Sequence, residues 1–254
     1  MASTRRPLMA GNWKMYKTRE ETAEYLSPFL NLVDGVDDRD ILLCVPFTSL
    51  VTALDLIDGG NVWVGAQTMH HADEGAFTGE VSPAMLLDVG VPWVLLGHSE
   101  RRQYYAETDA ELARKVRSAL DHGLRPVLCV GETLEEREAG ATRDKVEGQL
   151  RADLADVKAD ELTQMAVAYE PIWAIGTGRT ATPEVAQETI AICREVVRDL
   201  FGAAADETRI LYGGSVKAAN IDDLMAQPDI DGVLVGGASL DPTEFARIVR
   251  FESR

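Results

Sequence analysis

The chain has 254 residues, with 25 Lys and Arg against 42 Asp and Glu, a formal net charge of −17 and a pI of about 4.6. With 46% hydrophobic and 26% charged residues it holds enough apolar material for a sizeable core, which excludes bulk disorder. The acidic balance argues against nucleic acid, whose backbone needs a basic footprint, and no apolar run approaches the roughly 18 residues that cross a bilayer.

Short apolar segments alternate with longer amphipathic ones. Strands are predicted at Leu8–Asn12, Ile41–Val45, Val62–Ala66, Trp93–Leu96, Pro126–Val130, Gln164–Tyr169, Arg209–Tyr212 and Gly232–Val235. Helical patterns lie between them at Arg19–Leu32, Ser49–Leu56, Pro83–Val89, Asp109–His122, Thr142–Leu154, Thr182–Phe201, Ala218–Ala226 and Pro242–Val249, with a further helix beginning at Ser99. In the longest, Pro183 sits in the first turn, Glu184 follows it and Gly202 marks the stop. Strict alternation implies a parallel α/β sheet, because parallel neighbours need crossover helices. Eight units, a length typical of a closed barrel and the lack of a Pro-, Gly- or Ser-rich linker favour a closed eight-stranded (β/α)8 barrel over an open doubly wound sheet. One domain is expected across residues 1–254. His70–Glu80, polar and punctuated by Gly, is too long for a simple connection and reads as a functional protrusion.

Cys44, Cys129 and Cys193 are odd in number, far apart and set in apolar stretches, which predicts buried thiols in a reducing compartment. Arg5 and Arg6 are followed by no apolar run before Gly11, Asn12 and Lys14, so no secretory leader is expected. A cytoplasmic protein follows. His70 and His71 are adjacent, so their side chains diverge, and no further ligand is spaced to help; a surface loop is expected there, and no metal site.

In an alternating α/β chain, chemistry is built where strands end and loops begin. The first strand ends in Gly11-Asn12-Trp13-Lys14, the fourth in Gly97-His98-Ser99-Glu100-Arg101-Arg102, and the sixth in Tyr169-Glu170-Pro171. Pro171 forces Glu170 into an extended conformation and fixes the carboxylate at a strand tip. Gly213-Gly214-Ser215 follows the seventh strand and Gly236-Gly237 the eighth; Gly lets backbone N–H groups approach an anion closely. Taken singly, these are a solvated Lys, a packed His, a turn acid and two tight turns. Their joint placement at strand ends carries more. Residues 174–181, Ala-Ile-Gly-Thr-Gly-Arg-Thr-Ala, lack the third Gly of a dinucleotide fingerprint and the ending of a P-loop, and suit a mobile lid after Glu170.

Asn12-Trp13-Lys14, the segment from Gly97 to Arg102, Tyr169-Glu170-Pro171-Ile172-Trp173-Ala174-Ile175-Gly176-Thr177-Gly178, Tyr212-Gly213-Gly214-Ser215-Val216 and the segment from Leu234 to Leu240 resemble the triosephosphate isomerase family, in order and across essentially the whole chain. The resemblance implies a TIM barrel that interconverts dihydroxyacetone phosphate and glyceraldehyde 3-phosphate, with no cofactor and no metal. Glu170 would be the base and His98 the electrophile. Asn12 and Lys14 would stabilise the enediolate, and Gly176, Ser215, Gly236 and Gly237 would present N–H groups to the phosphate. Ser99, Glu100 and Cys129 match supporting positions, and segment 171–181 matches a closing lid. The Gly75–Glu80 stretch resembles a loop that inserts beside Lys14 and Met15 of a second subunit, so a homodimer through residues 70–80 is expected. Arg179 and Thr68 depart from the family pattern at the lid's end and near the expected subunit contact.

Such chemistry needs a carboxylate strengthened by loss of water and an oxyanion held by fixed donors. The base is therefore expected to be raised when closing of segment 171–181 strips it of water, and His98, ahead of a helix start, to be kept neutral by backbone N–H groups. The net charge of −17 repels an anion at long range, so capture must rest on local positive potential near Lys14 and the phosphate loops. Two alternatives remain at this point: an aldolase forming a Schiff base through Lys14, and a silent barrel serving as a scaffold.

Overall fold

The computed structural model describes residues 5–174 and 181–252. Strands β1 (Leu8–Asn12), β2 (Asp40–Val45), β3 (Val62–Ala66), β4 (Trp93–Leu96), β5 (Arg125–Val130), β6 (Ala166–Tyr169), β7 (Arg209–Tyr212) and β8 (Gly232–Val235) pair in parallel in sequence order. β8 closes on β1, with Leu8 opposite Gly232 and Gly11 opposite Val235, which completes the barrel. The helices between them are α1 (Arg19–Val33), α2 (Leu50–Leu56), α3 (Pro83–Asp88), α4 (Ser99–Tyr104), α5 (Asp109–Asp121), α6 (Leu134–Glu138), α7 (Thr142–Asp153), α8 (Pro183–Phe201), α9 (Ile221–Met225) and α10 (Pro242–Val249).

Strand alternation divides the core into two layers. Leu8, Leu42, Trp93, Leu95, Val127, Cys129 and Leu211 belong to a cluster inside the barrel. Met9, Ile41, Leu43, Val94, Leu96 and Val167 belong to the layer shared with helix residues such as Leu26, Val116 and Ile190. Both faces of each strand are thus covered, which is why these segments read as continuous apolar runs and not as alternating ones. Cys44, Cys129 and Cys193 are buried and unpaired, and burial pushes the Cys44 and Cys193 thiols up to about 12.

At three places where sequence and structure differ, a side-chain hydrogen bond decides. Residues 159–164 form a 3₁₀ turn instead of the start of β6, because Glu161 accepts the Lys158 N–H and a two-pronged contact from Arg117. Asn220 accepts the Lys217 N–H through its own amide oxygen, and α9 starts only at Ile221, not at Ala218. The unexpected α6 begins at a capping box in which Thr133 and Glu136 satisfy each other's backbone N–H groups. Among the described residues, no helix is long and apolar enough to cross a membrane.

One buried cation ties the last helix–strand units together. Arg194 on α8 is 3% exposed and binds Asp229 Oδ1 at 2.7 Å, Asp231 Oδ2 at 2.5 Å and the carbonyls of Ala205, Thr208 and Asp229. Asp231 also accepts from Arg5 and from the Ile210 N–H. Removing one partner of such a network strands the buried charges that remain, at a cost of about 3–5 kcal/mol. Arg194→Ala should therefore lower the stability read from urea unfolding by about that amount. Arg143→Ala, which breaks only the exposed pair with Glu195, should leave the midpoint nearly unchanged.

Candidate active site

Because all eight strands run the same way, their carboxyl ends share one rim, and a cavity of about 580 Å³ opens there. Asn12, Lys14, His98, Glu170, Ser215, Gly236 and Gly237 all line it, from the ends of β1, β4, β6, β7 and β8. Gly176 and the rest of residues 175–180 lie outside the described residues.

Lys14 reaches the cavity through an unusual backbone. Its φ is +52°, a left-handed conformation that costs a non-Gly residue of order 1–3 kcal/mol. Two side chains hold it there: the Lys14 N–H donates to Asn12 Oδ1 at 3.0 Å, and the Lys14 carbonyl accepts from Gln67 Nε2 at 2.8 Å. Gln67 Nε2 also donates to the Cys44 carbonyl, fixing its own position at the end of β3. The Lys14 ammonium lies 2.5 Å from Glu100 Oε1. Its aliphatic stem runs beside Gly236, where an added Cβ would meet Lys14 Cε at 3.5 Å.

His98 caps the amino end of α4 and accepts the Glu100 N–H at Nδ1, 3.3 Å away. With Nδ1 an acceptor, the ring proton stands on Nε2, and Nε2 lies 3.0 Å from Glu170 Oε1. The other carboxylate oxygen accepts the Ser99 N–H at 2.9 Å. Glu170 is 2% exposed and wedged between its neighbours. A Cβ on Gly131 would lie 1.8 Å from the Glu170 carbonyl oxygen, and one on Gly213 would lie 3.0 Å from Glu170 Cγ. Only glycine at the ends of β5 and β7 lets the carboxylate sit so deep.

The electrostatics of this pair run against burial. Burial alone would push Glu170 up, but the His98 imidazole and the Ser99 N–H outweigh it and hold the carboxyl below its ordinary value. Burial alone would push His98 down, but Glu170, with help from Glu100, raises it; Lys14 opposes. In this arrangement each group favours the charged form of the other, against the effect of burial on both. Cys129 stays a neutral thiol, raised well above its usual range by burial and by the nearby Glu170 charge. Among the described residues, no group of three His, Cys, Asp or Glu is placed to hold a metal ion.

Two contributors were missed from the sequence. Gln67 fixes the Lys14 backbone. Glu132, fully buried after β5, accepts Tyr169 OH and Trp173 Nε1, each at 3.0 Å, and Arg137 Nη1 at 3.2 Å. It thereby pins the short turn Ile172–Ala174 that leads out of the site. Both were findable by the strand-end rule, since Gln67 and Glu132 follow β3 and β5 within two residues.

The family described as triosephosphate isomerase matches this chain over residues 7–252. The triosephosphate isomerase of Carboxydothermus hydrogenoformans is 52% identical over 247 residues, covering 97% of this chain and 98% of its own. That of Solibacter usitatus is 52% identical over 248 residues, covering 97% of this chain and all of its own length. That of Syntrophotalea carbinolica is 50% identical over 250 residues, covering 98% and 99%.

In Glu170→Gln, burial acts on His98 without the carboxylate that offsets it. The imidazole should then titrate at lower pH than in the unsubstituted chain, as followed by ¹H–¹⁵N NMR of the ring nitrogens; an unchanged titration would show that the pair is not coupled.

Proposed function

We propose that the chain, which belongs to the triosephosphate isomerase family, interconverts dihydroxyacetone phosphate and glyceraldehyde 3-phosphate through an enediolate, as a step of glycolysis. The observation that carries this reading is the convergence of Glu170, His98, Lys14 and Asn12 on one cavity that Ser215, Gly236 and Gly237 also line. The phosphate would lie against the backbone N–H groups of those three residues and of Gly176, with Lys14 beside Gly236 supplying positive charge. That fixes the three-carbon chain between anchor and base.

The resting contact between Glu170 and His98 must part for chemistry to begin. A substrate oxygen would take over the Nε2–H of His98, freeing Glu170 to turn toward carbon. Glu170 removes a proton from C1 of the ketose while the carbonyl oxygen at C2 gains negative charge, held by His98 Nε2–H, Lys14 and Asn12. Proton transfer between the two oxygens through His98, and return of the carbon-bound proton from Glu170 to C2, give the aldose. Atoms and electrons balance within the substrate, so the reaction calls for no redox partner. Leaving Ser99 and His98 strips Glu170 of the donors that hold its charge, which strengthens it as a base at the moment it is used. Segment 171–181 would act as the lid, anchored at Trp173 through Glu132, and would keep water from the enediolate. The Lys14 Nζ is occupied by its contact with Glu100 Oε1 at 2.5 Å, which counts against its serving as a Schiff-base nucleophile.

The exposed side chains Met15 (93%), Phe77 (46%) and Met85 (55%) support a homodimer through residues 70–80, with loop 70–80 of each subunit covering Met15 of the other. The Phe77 ring packs on His70 at 4.0 Å, tilted by 32°, so the loop carries its own small apolar tip. A cytoplasmic location agrees with three unpaired buried thiols.

A coupled isomerase assay without added metal should show turnover in the purified chain. In Glu170→Gln it should fall by roughly 10²–10⁴ while inorganic phosphate still binds, since only proton transfer is lost. Near-normal turnover in that variant would remove Glu170 from the reaction. Phe77→Asp should shift the mass measured by light scattering from dimer toward monomer.

A further inference from the structure

The charged groups that line the cavity are mostly committed to one another. Lys14 is paired with Glu100, and His98 with Glu170. Lys217 also lines the cavity, two residues beyond Ser215, and among the described residues its ammonium has no hydrogen bond or ion pair. Glu244 lines the same cavity and adds negative charge to a chain already at −17. For a dianionic ligand approaching from solvent, Lys217 is therefore the cation on this wall whose field is not spent on a neighbouring carboxylate.

Its position is built, not incidental. The side chain of Asn220 bridges the turn, accepting the Lys217 N–H at 2.8 Å and donating to the Ser215 carbonyl at 3.0 Å. Val216 between them is buried, while Lys217 is exposed. Ser215, offered to the phosphate, and Lys217, offered to solvent, are thus fixed as one unit by a single amide. Ordering the turn before the ligand arrives lowers the entropy lost on binding.

We propose that Lys217 is the capture residue of the site: it draws the phosphate of the substrate toward the Ser215 and Gly236 backbone, acting on encounter and not on proton transfer. The proposal rests on the triose phosphate reading of the cavity and adds to it a residue that motif matching did not single out. An exposed charge acts through solvent, so its effect belongs to association and is screened by salt, with a Debye length of about 30 Å at 0.01 M and about 3 Å at 1 M.

The test is a steady-state comparison of the full-length chain with Lys217→Gln and Lys217→Arg at about 0.01 M and about 1 M salt. In Lys217→Gln, kcat/KM should fall roughly three- to tenfold at low salt with kcat unchanged, and the deficit should close at high salt. Lys217→Arg should restore the unsubstituted value, and competitive inhibition by inorganic phosphate should weaken in Lys217→Gln in parallel. An unchanged kcat/KM at low salt, a deficit that salt does not touch, or a loss carried in kcat would each overturn the proposal. If the unsubstituted chain shows no isomerase turnover, the functional reading fails separately. Lys217 is then judged by calorimetric binding of inorganic phosphate alone, where equal affinity in Lys217→Gln would overturn its role.

Discussion

Everything in the site depends on closure of a sheet whose strands all run in one direction. A parallel pair cannot be joined by a hairpin, so each strand must be followed by a helix that returns the chain to the same end. The consequence is that Asn12, His98, Glu170, Ser215 and Gly236, spread over more than two hundred positions of sequence, stand at one rim. Pairing of β8 with β1 is what turns a row of strand ends into a ring: without it the Lys14 stem and Gly236 would belong to opposite edges of an open sheet. The two apolar layers stabilise that closure, and polar side chains are confined to its ends.

Within the ring, position is set mostly by backbone and amide groups. The Ser99 N–H holds one oxygen of Glu170, the Glu100 N–H sets the tautomer of His98, Asn12 and Gln67 fix the Lys14 main chain, and Asn220 fixes the turn from Ser215 to Lys217. Amide dipoles carry no net charge and do not titrate near neutrality, so they orient the charged groups without cancelling them. Charge meets charge at Lys14 and Glu100 and at His98 and Glu170, and the proposed reaction requires the second pair to part.

The architecture was legible because its signal is repetitive. Eight apolar runs spaced by helical patterns leave few folds to consider, and most element ends fell within two residues of their predicted positions. The errors share a cause. Glu161, Asn220 and the Thr133–Glu136 box each redirect the chain by a side-chain bond that competes with the regular pattern, and hydrophobic periodicity is blind to such bonds. Of the site, the residues carried by the motifs stand at strand ends; Gln67 and Glu132 follow β3 and β5 just as closely, but their roles, exerted through other residues, are not written in any motif. Nor could the charge state of Glu170 be read from sequence. It depends on a 3.0 Å contact with His98 that only the folded chain provides, and burial taken alone gives the wrong sign.

The left-handed backbone of Lys14 has a wider consequence. Glycine would take that conformation without penalty but would bring no ammonium, so the position trades conformational ease for a cation. The tension is offset while the side chains of Asn12 and of Gln67, the latter from a different strand, keep their grip. Movement of the β3 end that withdrew Gln67 would remove one of the two side chains holding residue 14, easing it toward an ordinary backbone and its charge out of the cavity, though every helix stayed intact. Competence is in that sense more fragile than the fold that houses it.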